Sequence, residues 1–349
     1  MILDPVLDLF RGKAVTIPPL DGAFRPNTRL DDAPAFAELT EPDNLLVSGE
    51  RLLASSGNAI YSIAAGTGPK VVETFPSPVT ALALSPSGQL TVGLESGKLL
   101  IGDKEVPLPA ALSCITALAY ADDGTLWLAN GSAEHAPSQW AADLMKKGAS
   151  GSLWKRDAVG GGFRKVAGDI AFPYGLYPVG RDVLVGESWR HQLVRFDGAT
   201  GNRSTVLMHL PGYPARLSPS ADGGAWLTLF APRNRLIEFV LQETHYRQDM
   251  LDQVPPAYWI APALASSRSF LEPLQCGGIR TMGIHKPWSP SRSYGLVVKL
   301  DQNMQPQFSL HSRANGTRHG ICSVAEKDGL LFVASKGGDC ILSVATGGF

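Results

Sequence analysis

Short apolar runs, each closed by a Gly, Asp or Ser turn, follow one another along most of the chain. LPGYPARLSPSADGGAWLT, running from Leu210 to Thr228, shows the unit. A Pro-Gly turn enters an apolar segment, Asp222-Gly223-Gly224 ends it and Ala-Trp-Leu opens another, so the spacing predicts a hairpin. Arg216 stands in its first strand among apolar neighbours. The pattern recurs as PDNLLVSGERLLAS from Pro42, PVTALALSPSGQLTVG from Pro78, CITALAYADDGTLWLA from Cys114, FPYGLYPVGRDVLVGE from Phe172, YPARLSPSADGGAWLT from Tyr213 and RHGICSVAEKDGLLFVA from Arg318.

Aligned on Leu45, Leu82, Leu118, Leu176, Leu217 and Ile321, the six copies lie 37, 36, 58, 41 and 104 residues apart. Several are followed by further strand-like segments, among them SGKLLIGD, GSLWKRD, HQLVRFD and YGLVVKLD. Units of roughly 40 residues holding four strands each are the mark of a β-propeller, whose sheets bury one another's faces. The expectation is an all-β fold: one six-bladed propeller domain over residues 1–349. Residues 1–40 form an N-terminal segment that adds a strand to the last blade and closes the ring.

The two long spacings become insertions, around Gly131 to Ser150 and around Gln242 to Ser293. The second could hold a short helix or two and carries Tyr246, Tyr258, Trp259 and Trp288. It reads as a cap or lid over one mouth, or as a segment packed on a blade edge for stability.

Composition narrows the partners. The 349 residues are 44 % hydrophobic and 18 % charged with a net charge of −1, which gives no electrostatic bias toward nucleic acid or anionic membrane. A small molecule is the expected partner; oligomeric state is left open. MILDPVLDLFRGKAV has Asp4 and Asp8 in its apolar part and no basic leader, and no apolar run nears the roughly 20 residues of a membrane span, so a cytoplasmic location is expected. Cys114, Cys276, Cys322 and Cys340 show no CxxC spacing and read as free thiols.

LWKRDAVGGGFRKVAGDIAFPYGLYPVGRDVLVGESWRHQLVRFD, followed by HLPGYPARLSPSADGGAWLTL, resembles the core segment of strictosidine-synthase-like proteins, relatives of the gluconolactonases and paraoxonases. YGLVVKLD, SVAEKDGLLFVAS and YWIAP fit the same family, so the resemblance runs roughly from Glu41 to Val344. It implies a calcium ion in the central channel, held by Glu, Asn and Asp side chains, as in the metal-dependent hydrolases of that superfamily. Here FPYGL puts Tyr174 where an Asn ligand would stand, PGYPAR puts Ala215 and Arg216 on an Asp-Asn pair, and Thr116-Ala117 fills a third position. Only Glu41, Asp43 and Asn44 keep oxygen ligands, so calcium binding would need a residual site built on them.

Arg216 is then expected to point into the channel and stand in for the ion, paired with Glu41 or Asp43; the alternative is that it reaches solvent at the mouth. The acid/base glutamate that the resemblance implies for strictosidine synthesis aligns with Cys322, with Gly320 where a histidine would be, so that condensation is not expected. His319 could line the channel. The candidate catalytic residues are His319, Tyr174 and Arg216. Thr80, Thr116, Glu187, Cys322, Trp259 and Trp288 are candidate substrate contacts, although Glu187 also reads as a structural acceptor between blades. Three functions follow: a hydrolase-like enzyme acting on a lactone or ester, a non-hydrolytic enzyme of amine or aldehyde natural products, or a propeller that only binds a metabolite or protein.

Overall fold

Each of the six repeats folds as a four-stranded antiparallel sheet. In the first, Leu45–Ser48, Arg51–Ser56, Ala59–Ile63 and Lys70–Thr74 run from the channel outward. The inner strands of the next five blades are Val79–Leu84, Ile115–Tyr120, Pro173–Val179, Gly212–Pro219 and Ile321–Lys327. Each inner strand contacts the next around a closed ring, so this computed structural model is a six-bladed β-propeller. It describes residues 17–158, 160–266, 271–273, 278–281, 284–287 and 291–348.

The apolar alternation explains the stacking, because both faces of each sheet must be covered. A separate apolar cluster fills each of the six junctions between neighbouring blades. Trp127 closes one and Trp226 another, both almost fully buried. Inner strands approach so closely between blades 4 and 5 that a Cβ on Gly175 would collide with the Ala215 carbonyl oxygen. That contact fixes the strand carrying Arg216. Ala35–Glu38 pairs with Cys340–Ala345 as the outer strand of the sixth blade, so the two ends of the chain share one sheet.

Two insertions rise from this ring. The first, between the second and third strands of blade 3, holds a 3-10 turn at Pro137–Gln139 and helix α1 (Trp140–Met145). The second leaves blade 5 after Pro232, earlier than the expected Gln242, because Asn234 caps helix α2 (Arg235–Gln242) by accepting bonds from Leu236 and Ile237 N–H at 2.8 and 3.3 Å. Helix α3 (Thr244–Gln253) and a hairpin of Gly278–Thr281 with Ile284–Pro287 follow. Val240, Met250, Trp259 and Ala261 of this insertion pack with Leu144 and Met145 of α1 against Tyr213, Phe230 and Cys322 of the blades.

No helix among the described residues is long and apolar enough to cross a membrane. Cys114, Cys322 and Cys340 are buried free thiols, while Cys276 lies outside the described residues.

Candidate functional site

In five of the six blades, the ladder between first and second strands skips residues near the mouth. Val79 pairs with Leu94 and Ala81 with Gly93, so Thr80 is passed over; Thr116, Tyr174 and Cys322 are passed over in the same way. In blade 5 the skips take in Tyr213 and then Ala215 and Arg216. A bulge leaves its extra residue out of the ladder and re-aims the side chain. In these five blades the recurring motif therefore places irregular positions around the same end of the channel.

At that end Asp43, which leads into the first blade, meets two cations. Arg216 reaches across from blade 5, its Nη1 donating to Asp43 Oδ1 at 2.5 Å and its Nη2 to the Thr80 carbonyl of blade 2 at 2.7 Å. Lys336, just past the second strand of blade 6, donates from Nζ to Asp43 Oδ2 at 2.7 Å. The Tyr174 ring lies beneath the guanidinium, 4.8 Å from its central carbon. Burial alone would raise the Asp43 pKa, but Arg216 and Lys336 outweigh it and hold the carboxyl at about 2. Burial works against both cations too, and Asp43 reverses it, raising their pKa values. The unit thus carries two positive charges and one negative at neutral pH.

Above it opens a cavity of about 480 Å³. Trp140, Phe172, Tyr174, Phe230 and Leu264 give it an apolar wall, Lys336 and Asp43 lie deep in it, and Glu41 and Glu95 also line it. Glu95 Oε1 accepts from the Ser138 N–H at 3.1 Å and so ties the first insertion to blade 2. Leu264 is held where Gly337 has no side chain, since a Cβ there would collide with the Leu264 carbonyl oxygen. Both insertions contribute wall residues.

No protein-family model matches the chain, and no curated protein matches it. Among solved structures, a candidate gluconolactonase superposes with a TM-score of 0.56 at 13 % identity, covering 90 % of this chain and 92 % of that one. A gluconolactonase from Xanthomonas campestris gives 0.54 at 14 % identity, covering 88 % and 86 %. The shared feature is the propeller fold.

Several expected site residues stand elsewhere. His319 does not line the cavity: it is fully buried, its Nδ1 2.8 Å from Ser293 Oγ and its Nε2 2.8 Å from the Arg313 carbonyl. His319 stands before the inner strand Ile321–Lys327 rather than in it, and the chain enters blade 6 through Gly320 in a left-handed conformation. Glu187 is buried in blade 4, where it accepts bonds from the Ala171 N–H at 2.8 Å and from Arg190 and Gln192. It is not among the residues lining the cavity. Trp259 is buried in the packing of the second insertion, its Nε1 donating to the Val254 carbonyl at 2.7 Å. Trp288 lies outside the described residues.

Cys322 is buried beside Tyr174, and burial pushes its thiol up to about 12, which keeps it protonated and unfit as a nucleophile. Thr80 and Thr116 line the cavity, yet the Thr116 hydroxyl is spent on the Pro173 carbonyl. Arg216 lies on the channel axis, but Tyr174 and Asp43 cover it; its side chain is 11 % exposed against 24 % for Lys336. Lys336 is the cation that meets the cavity.

Lys336 was not among the expected site residues, although it stands just past the second strand of blade 6, much as Glu187 ends the second strand of blade 4. In an antiparallel pair the end of the second strand arrives at the same mouth, so the Lys after VAS was a signal of the same kind.

The donor set does not fit calcium. Both Asp43 oxygens are occupied by cationic N–H groups, and Glu41 is exposed at the rim. Among the described residues no group of three His, Cys, Asp or Glu side chains converges as a metal site.

Proposed function

We propose that the cavity is the active site of a small-molecule hydrolase that opens a lactone or ester without a channel metal. The observation that carries this reading is the Lys336 ammonium, held by Asp43 with its charge facing an apolar cavity. A substrate carbonyl oxygen accepts a hydrogen bond from Lys336 while the rest of the molecule lies against Trp140, Phe172 and Phe230. Water adds to the carbonyl carbon with its proton passing to a rim carboxylate, Glu95 or Glu41. The tetrahedral oxyanion is stabilised by the fixed ammonium, and collapse breaks the acyl–oxygen bond and returns the proton to the leaving oxygen. Tyr174, whose phenol burial holds above its ordinary pKa, stays protonated and shapes the floor.

The core-segment resemblance to strictosidine-synthase-like proteins and the fold shared with gluconolactonases support a small-molecule site in this channel. A cytoplasmic setting belongs to the same proposal. A second reading, a propeller that binds a metabolite without turning it over, draws support from His319, whose buried position leaves no histidine among the described lining residues. Turnover of a panel of lactones and aryl esters, with and without chelator, separates the two. The hydrolase reading predicts chelator-insensitive turnover that Lys336→Met lowers by about 100-fold in kcat/KM, the loss typical of one oxyanion donor. Binding without turnover supports the second reading.

A further inference from the structure

The two cations are surrounded by oxygen acceptors. Arg216 and Lys336 together draw on four of them: Asp43 Oδ1 at 2.5 Å, Asp43 Oδ2 at 2.7 Å, the Thr80 carbonyl at 2.7 Å and, more distantly, the Asp43 carbonyl at 3.5 Å. Hard divalent ions ask for several carboxylate and carbonyl oxygens of this kind. Here the positive charge comes from two side chains, delivered from blades 5 and 6 to oxygens of the Asp43 segment and blade 2.

We propose that the Arg216–Asp43–Lys336 unit is a built-in replacement for a channel metal, and that removing its two cations uncovers a divalent-cation site on Asp43. The proposal concerns how the channel is held together and does not depend on the hydrolase reading. Guanidinium and ammonium satisfy the Asp43 carboxylate and join four of the six blades at the mouth, the mechanical role an ion would fill. With both cations cut back to small polar groups, the same oxygens are left buried and electron-rich. Calcium with bound water then becomes the best available partner for them. Arg216→Asn with Lys336→Ser makes that space, and the amide introduced by the first substitution adds a further oxygen.

The test is calcium titration by calorimetry, with thermal melting in calcium and in chelator, on the wild type, the double variant, and the double variant carrying Asp43→Asn. The wild type is expected to show no binding and an unchanged melt. The double variant is expected to bind one calcium and to melt several degrees higher in calcium than in chelator, and adding Asp43→Asn is expected to abolish both effects. If the double variant folds only when calcium is present, the conclusion is the same. Lys336→Ser alone keeps the Arg216–Asp43 pair and is expected to bind calcium more weakly. The proposal is overturned by Asp43-dependent calcium binding to the wild type, or by Lys336→Ser binding calcium as tightly as the double variant. It is also overturned by a double variant that ignores calcium, whether folded or unfolded.

Discussion

Two buried carboxylates, Asp43 and Glu238, are each gripped by two basic side chains, and they serve different ends. Asp43 lies between Arg216 and Lys336 at the channel mouth. Glu238 of α2 lies between Arg233, whose Nε donates to Oε1 at 2.8 Å, and His191, whose Nε2 is 3.3 Å from the same oxygen. Both carboxyls are held near pKa 2 against burial by their partners. The Glu238 cluster is sealed: Tyr213 packs on His191 with ring centroids 4.6 Å apart, and the second insertion covers it. None of His191, Arg233 and Glu238 lines the cavity. The Asp43 cluster has a cavity beyond Lys336, so the same kind of ion grip presents a charge to whatever enters. What makes one a candidate site is the space beside it, not the strength of the pairing.

The second difference lies in the cations. Lys336 and Arg216 stay charged at any ordinary pH, whereas burial pulls the His191 pKa down and so lets that partner become neutral. Removing the carboxylate should therefore cost more at the mouth. Asp43→Asn leaves two cations buried together and is expected to lower stability in urea by about 3–5 kcal/mol, the loss usual for breaking a buried pair. Glu238→Gln should cost less, because His191 can shed its proton. Equal losses would break the comparison.

A smaller effect concerns acid. Both carboxyls have folded pKa values below their unfolded ones, so each contributes stability that is fully present above the unfolded value, near 4, and is lost as pH falls through the folded value, near 2. Unfolding free energy should be level with respect to these groups above about pH 5. It should then fall between about pH 4 and 2, by about 2 kcal/mol for each group. The Asp43→Asn variant should lose part of that slope and Glu238→Gln another part, in urea unfolding followed across pH.

Much of the fold is legible in the sequence. The six motif copies mark the inner strands because each blade must turn into the channel with the same apolar–turn–apolar grammar, and Thr80, Thr116, Tyr174, Arg216 and Cys322 all fall at its irregular positions. A lone Arg in an apolar strand left a channel partner or solvent at the mouth as its options, and the structure pairs it with Asp43. The bulges themselves were not legible, since nothing in Val-Thr-Ala or Pro-Tyr-Gly distinguishes a skipped residue from a paired one. His319 was expected in the channel because it stands at the start of an inner strand, whereas Lys336, just past a second strand, was not. Trp259 shows the other limit: an aromatic in an insertion can serve packing or a ligand, and only the helices around it decide.

A double-mutant cycle between Asp43→Asn and Lys336→Met, by urea unfolding at neutral pH, tests the account most directly. If the two groups form the unit described, the losses are non-additive, with a coupling of about 1–3 kcal/mol. If they add to within about 0.5 kcal/mol, Lys336 is not held by Asp43, and the claim that a fixed ammonium faces the cavity is contradicted.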